Sequence, residues 1–187
     1  MTPTYDPFLG ELRKSDLAEV GSPVNAVAAA KVLTVSDIPA IDDTVTIGVK
    51  TYKFVEALVA ANDILIGITA EACIDNLVSA VNATAGAGVT YGTGTTINAT
   101  VTATKASAAT VLAAAKVKGA AGNAIVIAKV GTNLAWAGGA NILGGGVDGT
   151  VGVLGQRMYD SAYEYLCTDV NTIAESKWLR VAIGLTF

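Results

Sequence analysis

Few residues of this 187-residue chain could do chemistry, and their spacing argues against it. The sequence contains no histidine, so the side chain best suited to moving protons near neutral pH is missing. General acid and base work would then fall to paired carboxylates held in unlike environments. The adjacent pair Asp42 and Asp43 sits where a strand begins, and successive side chains of a strand diverge to opposite faces. A solvated turn accounts for them. The two cysteines, Cys73 and Cys167, lie far apart and outside any Cys-x-x-Cys spacing, which disfavours a zinc site and leaves a single disulfide open. Cys73 falls on the apolar face of an expected helix, where a buried free thiol is the expectation.

Nucleotide and nucleic-acid chemistry fare no better. The net charge is −4 and the isoelectric point near 4.7, without the clustered Lys/Arg surface that phosphates demand. Lys105, Lys116 and Lys118 come nearest to a patch and read as solvated loop and strand-end residues. The run Gly119-Ala120-Ala121-Gly122-Asn123 has the glycines of a phosphate loop but lacks the Lys-Ser/Thr pair that must follow them. Its residues suit positive φ angles in a tight reversal instead. No catalytic residue, cofactor or metal ligand is therefore expected.

The elements that could position anything are built from small residues. Hydrophobic residues make up 52% of the chain and aromatic ones only 6%, so Ala and Val carry most of the apolar content. At this length a core can form without disulfides or metal. No apolar run reaches the roughly 18 residues of a bilayer span. Met1–Gly21 lacks the basic start and apolar core of a secretory signal, which gives the expectation of a chain not exported by the usual route.

Residues 1–23, punctuated by Pro3, Pro7, Gly10, Gly21 and Pro23, read as an extended arm. Its Tyr5, Phe8, Leu9 and Leu12 are too few for a core yet costly to leave exposed together, and suit docking on the chain's own fold or on a neighbouring chain. A strand is expected from Lys31 to Val35. A hairpin follows, with Asp43–Ile47 and Lys50–Val55 joined through Gly48–Val49 in a type II′ turn. Pairing Ile47 with Lys50 puts Val45, Ile47, Tyr52 and Phe54 on one face and the Thr/Lys set on the other. After a short strand at Asp63–Gly67, Thr69 is placed to cap a helix reaching Asn82, with Cys73, Ile74, Leu77, Val78 and Val81 as one stripe. Strands Ala99–Thr104 and Thr110–Val117 come next, joined by the loop Lys105–Ala109, and then an apolar run Ala124–Val130.

Residues 138–155 are rich in glycine and read as a linker or set of tight loops. Beyond them, Met158–Tyr159, Tyr163–Cys167 and Trp178–Ile183 suggest a three-stranded meander, which is marginal alone. The expected fold class is α+β: mainly antiparallel sheet with one amphipathic helix packed on it, plus this small C-terminal β-meander. The expected divisions are an arm at 1–23, a main domain at 24–137, the linker at 138–155 and the meander at 156–187.

Several of these segments resemble known ones. Asp43–Phe54, Ile66–Ala72 and Gly119–Asn123 are similar to a module recurring in structural proteins of tailed bacteriophages. Gly155–Cys167 followed by Trp178–Ala182 resembles a short terminal element of many phage virion proteins, and Tyr5–Gly10 resembles the start of several. The inserted Thr172–Lys177 stretch departs from the common pattern. The resemblance implies a non-enzymatic virion component, assembled in the host cytoplasm, and carries no catalytic residues. A capsid decoration, or cement, protein is the first expectation. It would bind the major capsid protein or other virion proteins and associate with its own copies, a trimer first, without nucleic acid or membrane. A tail, fibre or head-to-tail connector subunit is the alternative, and a carbohydrate-binding adhesive module using Trp136, Trp178 and the tyrosines is a second. Interface candidates are Tyr5, Phe8, Leu9, Tyr163, Tyr165, Trp178 and Arg180, because aromatic and Arg anchors dominate interface energies. The core of the meander is an equally good place for Tyr163, Tyr165 and Trp178.

Overall fold

The computed structural model describes residues 22–160 and 162–182. The chain forms two compact units, one from Val27–Val147 and one from Asp148 onward together with the segment ending at Ala26. Their boundary falls inside the glycine-rich stretch at 138–155. The first part of that stretch belongs to the larger unit, where Leu143 is buried in the core and Gly144 and Val147 bridge Ala30 and Val27. A run of glycines reads as a linker, but one buried leucine and a few backbone pairs are enough to tie it down.

The larger unit is α+β and mainly antiparallel, as its alternating Thr/Val segments imply. Its first sheet contains β2 (Thr44–Ile47), β3 (Lys50–Val55), β4 (Asp63–Leu65) and β7 (Ile127–Val130), in the order β4-β3-β2-β7. Only the β3–β4 pair is parallel among the described strands of this unit. The hairpin register is the expected one, with Ile47 opposite Lys50 and Val45 opposite Tyr52. Val45, Ile47, Tyr52 and Phe54 are all fully buried, while the Thr46 and Thr51 hydroxyls meet at 2.9 Å on the wet face. Gly48 supplies the left-handed φ of 63° at the first turn position, which β-carbon-bearing residues adopt reluctantly.

The second sheet contains β1 (Ala30–Val35), β5 (Val101–Ser107), β6 (Thr110–Ala115) and β8 (Leu134–Trp136), in the order β5-β6-β1-β8. Here the structure corrects three expectations. β5 runs on to Ser107, so the residues expected as a loop from Lys105 are mostly strand, with a bulge between Lys105 and Ser107. β8 completes the sheet, and its Trp136 is buried with its indole Nε1 donating to the Ala128 carbonyl at 3.0 Å. A sugar-stacking role for Trp136 is thereby excluded. In the Gly119–Asn123 run only Gly119 has a positive φ; Gly122 lies in a 3₁₀ turn, Ala120–Ala124, against the methyls of Ala29 and Ala115.

Helix α1 spans Ala70–Asn82, and the Thr69 side chain caps it by accepting from the Ala72 amide at 3.1 Å. Cys73, Ile74, Leu77, Ala80 and Val81 are its buried side chains, with Val78 packed at the margin. Asn82 fixes the helix to β5 with both ends of its amide, donating to the Ala103 carbonyl at 2.7 Å and accepting from its amide at 3.1 Å. The inner faces of both sheets and this helix share one core.

Strand directions give the larger unit two distinct ends. The 36–43 loop follows β1 and precedes β2. The Gly48–Val49 turn follows β2, and the residues before β1, after β6 and before β7 gather at that second end. β1 alone, at 6 residues, separates the ends by roughly 20 Å.

The smaller unit is the expected meander: β9 (Arg157–Tyr159), β10 (Tyr163–Cys167) and β11 (Trp178–Ala182), in the order β11-β10-β9 and antiparallel throughout.

Candidate interaction surface

The register of the meander collects four sequence candidates on one face. Tyr163 pairs with Ala182, Tyr165 with Arg180 and Cys167 with Trp178, so these residues all point the same way. The Arg180 guanidinium carbon lies 4.4 Å from the centre of the Tyr163 ring, a cation–π distance, and the Tyr163 and Tyr165 rings are 6.2 Å apart.

Inside this group the roles divide. Tyr165 is buried and its hydroxyl donates to Asp160 Oδ2 at 2.7 Å, while the Ser22 hydroxyl donates to the same oxygen at 2.5 Å. The other Asp160 oxygen accepts from the Ala162 and Tyr163 amides at 2.8 and 2.7 Å. Four donors on one carboxylate, the Ser22 hydroxyl foremost, hold it well below the usual carboxylate range. With every lone pair engaged, Asp160 is built to hold the chain at Ser22 on the β9–β10 turn and is poorly placed to act as a base. Trp178 is half-buried, its Nε1 donating to the Thr150 carbonyl at 3.1 Å. Tyr165 and Trp178 therefore stabilise the unit itself. Tyr163 is partly open and Arg180 exposed, leaving these two available to a partner. Tyr5, Phe8 and Leu9 lie outside the described residues.

The apolar surface of this unit is the signal that the aromatic candidates did not carry. Val151, Val153, Leu154, Val170, Ile173, Leu179 and Val181 are 52–68% exposed, whereas its described buried apolar residues are Ala26, Met158, Tyr165 and Cys167. Leu179 and Val181 occupy the face of β11 opposite to Arg180, and β11 lies at the edge of its sheet among the described strands. An apolar edge strand is ready to be covered. The alternation of Trp178–Ile183 places Leu179 and Val181 together already in the sequence.

A second surface lies at the Gly48–Val49 end of the larger unit. An open pocket of about 250 Å³ is lined by Ala99, Thr100, Ala115, Val117, Gly122 and Ile125. Val49, Ile97, Val117 and Val126 are 51–100% exposed. They belong to the turns that gather at this end. Lys116 and Lys50 brace the chain leading into the pocket: Lys116 Nζ donates to the Asn98 carbonyl at 2.6 Å, and Lys50 Nζ to the Thr96 carbonyl and hydroxyl. Lys118 follows Val117. Among the described residues none of these three ammonium groups pairs with a carboxylate, and no Asp or Glu occurs anywhere between Asp75 and Asp148. Lys105, grouped with them in the sequence, points elsewhere and bridges Asp75 and Glu71 of α1 at 2.8 and 2.7 Å.

Both thiols are free and buried, so the disulfide left open by the sequence does not form. Burial pushes the Cys73 thiol up, away from the reactive thiolate. Asp43 is buried and accepts from the Ala40 amide at 2.9 Å, while Asp42 is exposed and pairs with Lys53 at 3.2 Å. The adjacent carboxylates thus serve a turn and an ion pair. No group of three or more His, Cys, Asp or Glu converges among the described residues, and none of their helices is long and apolar enough to cross a membrane.

Comparison with protein-family models, with curated proteins and with solved structures finds no match.

Proposed function

We propose that this chain is a non-enzymatic virion structural protein, a capsid decoration protein that binds the outer shell of a tailed phage. The observation that carries the reading is the surface of the smaller unit, where more large apolar side chains lie exposed than lie buried. Exposed apolar surface of this density belongs to proteins that are covered by others in their working state. A three-stranded meander has little stability alone and gains it when a neighbour covers its open face and edge.

The major capsid protein is the proposed partner. Tyr163 and Arg180 on one face, with Leu179 and Val181 on the other, are the groups offered to it. The resemblance of the Asp43–Phe54 and Gly155–Cys167 segments to phage virion proteins supports the same reading. A tail, fibre or connector subunit would present similar surfaces. Immunogold labelling of intact particles tests the station: gold on the head is expected, and gold confined to tail or fibres would overturn the decoration assignment.

A further inference from the structure

We propose that the smaller unit holds a binding cup for an acidic side chain of its partner, with Arg180 receiving the carboxylate. That this partner is a shell protein rests on the role proposed above, whereas the chemistry of the cup does not.

Ser22, Pro23, Asn25, Tyr165, Trp178 and Arg180 line an open pocket of about 340 Å³, and all six belong to this one unit. Such a volume is at the small end of the roughly 300–1,000 Å³ of ligand pockets and suits one residue of a peptide segment. Arg180 is the single charged residue of the lining. Its guanidinium is held over the Tyr163 ring, yet among the described residues it donates no hydrogen bond and pairs with no carboxylate. A guanidinium carries five N–H donors in a planar fork that matches a carboxylate. A positioned Arg with these donors unspent on its own unit is a receptor for an anion supplied from outside.

The neighbouring charge selects the anion. Ser22 and Tyr165 both donate to Asp160 Oδ2, and two amides fill the other oxygen, so this carboxylate is committed and does not neutralise Arg180. Held by two lining residues, its negative charge opposes a second one on the ligand. A singly charged carboxylate is therefore favoured over a phosphate dianion.

The uncharged lining selects what carries the carboxylate. Pro23 and Trp178 offer flat apolar walls for a methylene stem, and the Trp178 Nε1 is already bound to the Thr150 carbonyl. The Asn25 side chain is exposed and makes no hydrogen bond among the described residues, so its amide, donor and acceptor together, is free to meet a peptide group. The Ser22 and Tyr165 hydroxyls are spent on Asp160. A sugar brings a hydroxyl on nearly every carbon, and Asn25 and Arg180 alone cannot satisfy them. One carboxylate, one short stem and one peptide group match what the cup offers.

Trp178 reports on the cup directly, since the chain has two tryptophans and Trp136 is buried in the larger unit. The test titrates the full-length protein with N-acetyl-glutamic acid α-amide and follows the two indole N–H signals by NMR, assigned through Trp136→Phe. The Trp178 signal should shift to saturation in the millimolar range while that of Trp136 stays in place. The uncharged N-acetyl-glutamine amide should bind at least about tenfold more weakly. Arg180→Gln should weaken the glutamate probe to the same degree, and Asn25→Asp, which sets a like charge in the cup, should weaken it as well. Both substitutions fall at exposed positions, and circular dichroism verifies that each variant keeps its fold. No saturable shift at Trp178, equal binding of the glutamine probe, or variants that bind like the unaltered chain would each overturn the proposal. Glucuronate binding more tightly than the glutamate probe would overturn the acidic side chain as occupant. Pelleting the same samples with shells separates the two claims: probe binding by a protein that ignores shells sinks the virion role and leaves the cup standing.

Discussion

Trp178 lies against Gly152 so closely that a β-carbon on the glycine would come within 2.6 Å of Cζ2 of the indole, and within 3.1 Å of the Cys167 sulfur. The ring thus occupies the space a side chain would need. The indole Nε1 binds the Thr150 carbonyl, and the ring stands beside the buried Cys167, its partner across the β10–β11 pair.

Gly152→Ala should therefore loosen the meander by about 1–3 kcal/mol, the usual effect of forcing extra volume into a packed site. Hydrogen exchange followed by mass spectrometry should show faster exchange in β9, β10 and β11 with the peptides of β1 to β8 unchanged. Unaltered exchange in the meander would mean that Trp178 is not packed on Gly152.

Asp160 should make the smaller unit sensitive to acid. Its carboxyl is depressed in the folded chain, first by the Ser22 hydroxyl and then by the Tyr165 hydroxyl and two amides, so the charged form is the bound form. The stabilisation is complete above the unfolded carboxyl value near about 4 and is lost as the pH falls toward the lower folded value. Asp169, depressed by Lys177, adds in the same direction. Asp160→Asn should be less stable at neutral pH and should flatten the loss below about pH 4. Trp178 fluorescence against pH, recorded in a Trp136→Phe background, checks it; identical profiles would remove Asp160 from this role.

In the larger unit the most sensitive polar residue should be Asn98. It is buried, donates to the Ile47 carbonyl at 3.0 Å and accepts from the Thr100 and Val101 amides at 3.1 and 3.0 Å. Asn98→Ala strands these groups and should lower stability in urea by about 3 kcal/mol or more. Thr69→Ala, which removes only the helix cap, should cost about 1 kcal/mol. Equal effects of the two would contradict the buried network.

Neither thiol should react with a polar alkylating reagent in the folded protein, since Cys73 and Cys167 are buried and the Cys73 thiol is pushed up by desolvation. Mass spectrometry before and after denaturation should show no adduct and then two. Rapid modification of Cys73 in the native state would contradict the packing of α1.

The parts of this fold legible in the sequence are those set by local chemistry. The β2–β3 register follows from Gly48 and strict alternation, and the ends of α1 follow from Thr69 and the spacing of Cys73, Ile74, Leu77 and Val81. What escaped the sequence depends on distant partners. β8 is three residues long and becomes a strand because β1 pairs with it, and β4 is parallel to β3 without any local mark. The extension of β5 through Lys105 accompanies ion pairs to Glu71 and Asp75, which no short-range pattern contains. The candidate surface was half legible. Aromatic type drew attention to Tyr165 and Trp178, which hydrogen bonds and packing assign to the interior, whereas plain valines and leucines such as Val181 and Leu179 form the open surface.

The central claim is that this chain works by covering, and being covered by, other proteins of a particle. Mixing purified protein with shells that lack it, and pelleting them, measures this directly. The protein should sediment with the shells to a saturating copy number, and Leu179→Asp with Val181→Asp should abolish that while leaving the larger unit folded. Protein that stays in the supernatant at every concentration would contradict the account.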